Sequence, residues 1–132
     1  MAGDDLVAWL RQRIRERRCL AERTIELGNA AVWEETATGV LVTGEPTETD
    51  TWHGTWPMGD SSLTRLMEAN DPRDTIARCE TELAILDFHD LAETWEQAEG
   101  KPLKQAEVLR IVVREIGRAY RHRPGYRQEW KP

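Results

Sequence analysis

The chain has 132 residues, 39% hydrophobic and 32% charged, with a net charge of −6, which suits one domain with a modest core and a well-charged surface. No apolar run approaches the roughly 18 residues of a membrane span, and Met1–Asp5 lacks the basic start and apolar stretch of a secretory signal. Two cysteines, Cys19 and Cys79, are too few for a disulfide framework. The expectation is a reduced, cytoplasmic protein whose single domain spans residues 1–132.

From about Asp5 to Leu27, the residues Val7, Leu10, Ile14, Ala21 and Ile25 recur at helical spacing on one stripe. Asp4 or Asp5 is placed to cap this helix, and Gly28-Asn29 to stop it. At Arg17 and Arg18 the stripe is interrupted, and arginine stems can cover the seam there. Ala31–Trp33 and Val40–Val42 are short runs of β-formers around Thr36–Gly39 and predict a β-hairpin. Residues 43–61, rich in Thr, Gly and Pro, read as a long loop, and loops of that length are often functional. Ser62–Ala69 is a weak candidate for a third strand.

Asn70-Asp71-Pro72 is the sharpest punctuation in the chain. Asp71 can cap a helix with Pro72 at its first position. That helix is expected to run to about Ala98, with Ile76, Cys79, Leu83 and Leu86 starting its apolar face and Leu91 and Trp95 continuing it. A third helix, from about Pro102 to Arg121, carries the stripe Leu109, Val112, Val113, Ile116 and Tyr120. The tail, residues 122–132, holds a Pro124-Gly125 turn. The apolar area of Tyr126 and Trp130 implies that it docks on the body. The fold expected is α+β: mainly helical, three long helices with a small antiparallel β-hairpin or three-stranded sheet packed on them.

Charge is unevenly placed. Residues 1–25 carry six arginines against four acids, residues 26–100 three against 17, and residues 101–132 nine basic side chains against three acids. Either the basic ends pack beside the acidic middle and neutralise it, or their basic faces bind an external anion. Overall acidity favours the first, because a net negative protein repels phosphate at long range.

Three stretches carry a family resemblance. They are Asp4-Asp5-Leu6-Val7-Ala8-Trp9-Leu10-Arg11; Asn70-Asp71-Pro72 with Ile76-Ala77-Arg78-Cys79-Glu80 and Leu86-Asp87-Phe88-His89; and Ala119-Tyr120 with Pro124-Gly125-Tyr126-Arg127-Gln128-Glu129-Trp130-Lys131-Pro132. Together they resemble a family of small proteins of actinomycetes and their phages, the domain of unknown function 6221 family. The resemblance covers about half the chain and implies an intracellular protein of actinobacterial or phage origin. It brings no catalytic residues, because the family has no assigned activity. Some members carry cysteine pairs between the last two helices, suggestive of zinc. Here that link, Glu96 to Gln105, has neither Cys nor His.

Chemistry-bearing motifs are sparse. The soft ligands Cys19, Cys79, His53, His89 and His122 lack zinc-site spacing, so no metal or cofactor is expected. There is no nucleophile elbow and no phosphate-binding glycine loop, and acidic pairs such as Asp87 with Asp90 read as solvated surface. Arg110, Arg114, Arg118 and Arg121 form a row on the last helix, read as lying roughly opposite its apolar stripe. Arg11, Arg15 and Arg18 repeat the pattern on the first. Such rows suit either a phosphate backbone or an ordinary solvated face. Trp9, Trp33 and Trp95 are expected in the core. Trp52, His53 and Trp56 fall in the long loop, where the tryptophans either cover a core edge or anchor a partner.

The leading expectation is a non-enzymatic intracellular protein-interaction or accessory module with an unknown protein partner, no membrane association and a homodimer left open. Its binding surface would involve Trp52, His53, Trp56 and the row Arg110, Arg114, Arg118 and Arg121. The alternative is a nucleic-acid-binding protein using the arginine rows on the first and last helices. A small hydrolase ranks third.

Overall fold

The computed structural model describes residues 2–26, 32–36, 39–43, 53–57 and 71–132. In chain order these form α1 (Ala2–Glu26), β1 (Val32–Thr36), β2 (Gly39–Thr43), β3 (His53–Pro57), α2 (Pro72–Glu99), α3 (Lys104–Ala119) and a 3-10 turn at Gln128–Trp130. Among the described residues no helix is long and apolar enough to cross a membrane.

The expected α+β class needs correction to a mainly helical one. Helices of 25, 28 and 16 residues dominate three strands of five residues each. The strands form an antiparallel meander in the order β1-β2-β3, with Trp33 opposite Val42 and Val40 opposite Trp56. The third strand is His53–Pro57, inside the segment read as a loop; Ser62–Ala69, the weak candidate for it, lies outside the described residues. The period-2 signal there is weak because Gly54 and Pro57 interrupt it, and only pairing with β2 selects it.

The chain divides into two compact units, one of residues 1–16 with 80–132 and one of residues 17–79. In the second, the start of α2 is as the sequence foretells. Asp71 Oδ1 accepts the backbone N–H of Asp74 at 2.8 Å, and Pro72 takes the first helical position, where no N–H is needed. In the same unit Ala21 and Cys79 are buried, while Leu20 and Cys19 are exposed.

The first unit holds the main helical core. Leu6, Val7, Leu10 and Ile14 of α1 are buried, as are Leu86 and Ala92 of α2 and Ala106, Val113 and Tyr120 of α3. Leu6 lies against Gly117 of α3, where any side chain would crowd it. The Tyr120 hydroxyl donates to Glu82 of α2 at 2.6 Å. Between α2 and α3 the chain reverses through Gly100, whose φ of 65° is left-handed and whose N–H returns to the Glu96 carbonyl.

Several boundaries and faces differ from expectation. α1 begins at Ala2, so Asp4 and Asp5 lie in its first turn instead of capping it; there they still oppose the helix dipole. α3 runs from Lys104 to Ala119, shorter than expected at both ends, because Leu103 is extended (φ −109°, ψ 133°) as its N-cap and the chain leaves the helix at Tyr120. Leu91 and Trp95 do not continue the buried face of α2: they are 45% and 56% exposed. The tail does dock on α1. Trp9, Tyr126 and Trp130 form a three-ring cluster with centroids 5.4–5.8 Å apart, and the Trp9 indole N–H donates to the Pro124 carbonyl at 3.3 Å.

Candidate functional site

The buried stripe of α2 changes character along its length. Leu86 is apolar, but the positions three, seven and ten residues on, which share its side of the helix, are His89, Glu93 and Glu96. His89 is only 5% exposed. Its Nδ1 lies 3.3 Å from Asp90 Oδ1, and its Nε2 3.5 Å from Glu93 Oε1. Arg110, reaching across from α3, donates through Nε to Glu93 Oε1 at 2.6 Å and through its terminal nitrogen to Glu96 Oε1. The other Glu96 oxygen accepts the Leu103 backbone N–H at 2.9 Å, which satisfies an amide at the start of α3. From α1, Arg11 forks onto Asp87 at 2.7 Å and Asp90 at 2.5 Å.

Each ionic group here is set by its partners. Hydrogen bonds from Arg110, then from Leu103, hold the Glu96 carboxyl below its ordinary pKa, outweighing desolvation. Glu93 and then Glu96 raise Arg110 well above the usual arginine value. Partial burial works to lower Arg11, but its hydrogen bonds to Asp87 and Asp90 prevail and raise it.

A cleft of about 420 Å³ opens beside this network, with His89, Glu93, Glu96, Arg110 and Arg114 in its lining and Leu6 and Val113 as its apolar wall. Its lining contains no serine, threonine or cysteine. The carboxylates already hold guanidinium groups, so the arrangement suits a fixed polar seam between helices better than proton transfer. Among the described residues there is no cluster of three or more potential metal ligands.

The sequence-predicted residues are scattered. Arg110 is tied into the seam, Arg114 is exposed on the cleft, and Arg118 makes an exposed pair with Glu115 at 3.3 Å. Arg121 is exposed beyond the end of α3. The row flanks the buried stripe instead of lying opposite it, since Arg110 sits only about 60° around the helix from Val113. This position is what lets it reach α2. Trp52 lies outside the described residues. His53 and Trp56 belong to β3, with side chains outside the described part.

Sequence reasoning missed a surface on α2. Phe88 (61% exposed), Leu91 and Trp95 are spaced i, i+3, i+7 and so form one row. They lie roughly 140–200° around the helix from Leu86. The signal was available: extending the Cys79–Leu86 stripe at helical period leads to His89 and Glu93, not to Leu91 and Trp95.

Residues 3–132 match a family of unknown function, DUF6221, and the chain belongs to that family. No curated protein and no solved structure matches it.

Proposed function

We propose that this chain is a non-enzymatic, intracellular protein-interaction or accessory module of phage or actinomycete origin, docking through the outer face of α2. The observation that carries this reading is the exposed row Phe88, Leu91 and Trp95. Three large apolar side chains on one solvent face are costly to leave bare, and aromatic residues are favoured anchors at interfaces. The partner is a protein surface that is basic around an apolar groove. α2 itself holds eight acids against two arginines, which suits a positive rim and disfavours a second copy of the same face. The cleft supports the non-enzymatic part, because two of its three carboxylates, Glu93 and Glu96, are engaged by Arg110. Trp52, His53 and Trp56 remain the additional contacts that the sequence suggests, if the two tryptophans anchor a partner rather than cover a core edge.

The nucleic-acid reading has no observation in its favour for the two rows as a whole. Arg11 and Arg110 direct their charge onto Asp87, Asp90, Glu93 and Glu96.

The test is titration with an amphipathic Leu/Lys helical peptide, followed by tryptophan fluorescence. A saturable blue shift is expected, absent in Trp95→Phe and at least about fivefold weaker in Phe88→Ser. An equal response to a Leu/Glu peptide, or no saturable response, overturns the reading. Turnover of a substrate that is lost in His89→Ala overturns its non-enzymatic part.

A further inference from the structure

A second concavity, separate from the α2 row, lies where the tail meets the end of α3. It has a volume of about 370 Å³ and is lined by Arg118, Arg121, Tyr126, Gln128 and Lys131. Three of these five residues are cations and none is an acid. This contrasts with the seam cleft, where Asp4, Glu93 and Glu96 offset the arginines. Helix-dipole stabilisation accounts for Arg118, in the last turn of α3. It does not account for Arg121 and Lys131, which lie past the helix end. Arg118 makes an exposed pair with Glu115 at 3.3 Å that is weak and readily exchanged.

Tyr126 supplies an independent sign. Its ring is fixed edge-on to Trp9 and Trp130, and its hydroxyl is buried with no hydrogen-bond partner among the described residues. A buried hydroxyl left unpaired is costly, and native proteins seldom retain one without a reason. The other side chains that line the pocket, Arg118, Arg121, Gln128 and Lys131, are all exposed, and exposed side chains change rotamer on fast timescales.

We propose that this pocket binds a compact, multiply charged phosphate, either a free phosphate or pyrophosphate or the phosphate tail of a nucleotide. Arg118 and Arg121 offer fork-shaped donors that match phosphate oxygens, Lys131 adds a point charge, Gln128 an amide donor and Tyr126 a hydroxyl donor. The volume is that of a small-ligand site. The protein's net charge of −6 opposes anions at long range, so the pocket binds at short range through directed hydrogen bonds.

The experiment is calorimetric titration of the full chain with inorganic phosphate, pyrophosphate and ATP, each at low and moderate salt. Saturable binding is expected, and the arms show whether the free anion or the nucleotide is preferred. Arg118→Gln with Arg121→Gln should raise the dissociation constant by about tenfold or more, and Lys131→Gln by several-fold. Tyr126→Phe is the decisive variant. It keeps the ring cluster and removes a hydroxyl unpaired in the free protein, so its melting temperature should hold or rise while binding weakens about fivefold or more. The proposal is overturned if none of the three anions binds saturably. It is equally overturned if Tyr126→Phe or the double arginine variant binds as wild type, or if duplex DNA binds far more tightly than any of the three.

Discussion

Arg110 shows how a single side chain can be read wrongly from a helical row. On the sequence it is one of four evenly spaced cations; in the fold it is the partner of Glu93 and Glu96. Its pairing with Glu96 makes a pH-dependent contribution of definite sign. The folded Glu96 carboxyl lies below its ordinary pKa. Its stabilisation is therefore complete above the ordinary carboxylate range and is lost as pH falls through the lowered folded value. Arg110 stays protonated throughout and adds no slope of its own. Thermal melts between about pH 5 and 2.5 should show a shallower acid-side loss in Arg110→Ala than in wild type, and equal slopes would contradict the pairing. Gly125 supplies a second test at this scale. Its φ is 89°, and an added Cβ would stand 2.8 Å from the Trp9 indole nitrogen. Gly125→Ala should cost about 1–3 kcal/mol in urea unfolding, from backbone strain together with displacement of the indole.

At the scale of elements, α2 carries two surfaces that its composition does not distinguish. Leu86 and Leu91 are chemically identical, yet one is fully buried and the other 45% exposed. Leu86→Ala should therefore destabilise by about 2–5 kcal/mol. Trp95→Ala should stay within about 0.5 kcal/mol, despite removing a larger side chain, when both are compared by chemical denaturation. Comparable losses at the two positions would mean that the α2 row is core. The ends of α2 were legible because they rest on local chemistry: an Asp-Pro start, and a glycine able to adopt positive φ at the close. Its faces were less legible because the inward positions His89, Glu93 and Glu96, the first buried and the other two half-buried, are held there by pairing with Asp90 and Arg110 rather than by hydrophobicity. The third strand was missed for a related reason: Gly54 and Pro57 mask a segment that pairing with β2 selects.

For the molecule as a whole, the uneven charge found along the chain has a visible internal use. Arginines from both basic ends, Arg11 and Arg110, pair with four acids of the middle segment. What remains on the outer face of α2 is apolar and set within an acidic stretch, so the free protein should scatter light as a monomer at concentrations around 10–100 µM, since like charges oppose pairing of two such faces. A dimer abolished by Trp95→Ser would instead make the second copy the occupant of that row. The sequence alone determined three long helices, the Asp71-Pro72 start, the docking of an aromatic tail and the contrast between basic ends and acidic middle. These follow from periodicity, capping chemistry, apolar area and charge, all properties of neighbouring residues. The tertiary structure decided which arginines meet acids, which large apolar side chains face water, and that a tyrosine with a buried hydroxyl lines a pocket with three cations. Those outcomes depend on how one helix is rotated against another and on where a tail comes to rest, and they arise only between residues far apart in the chain.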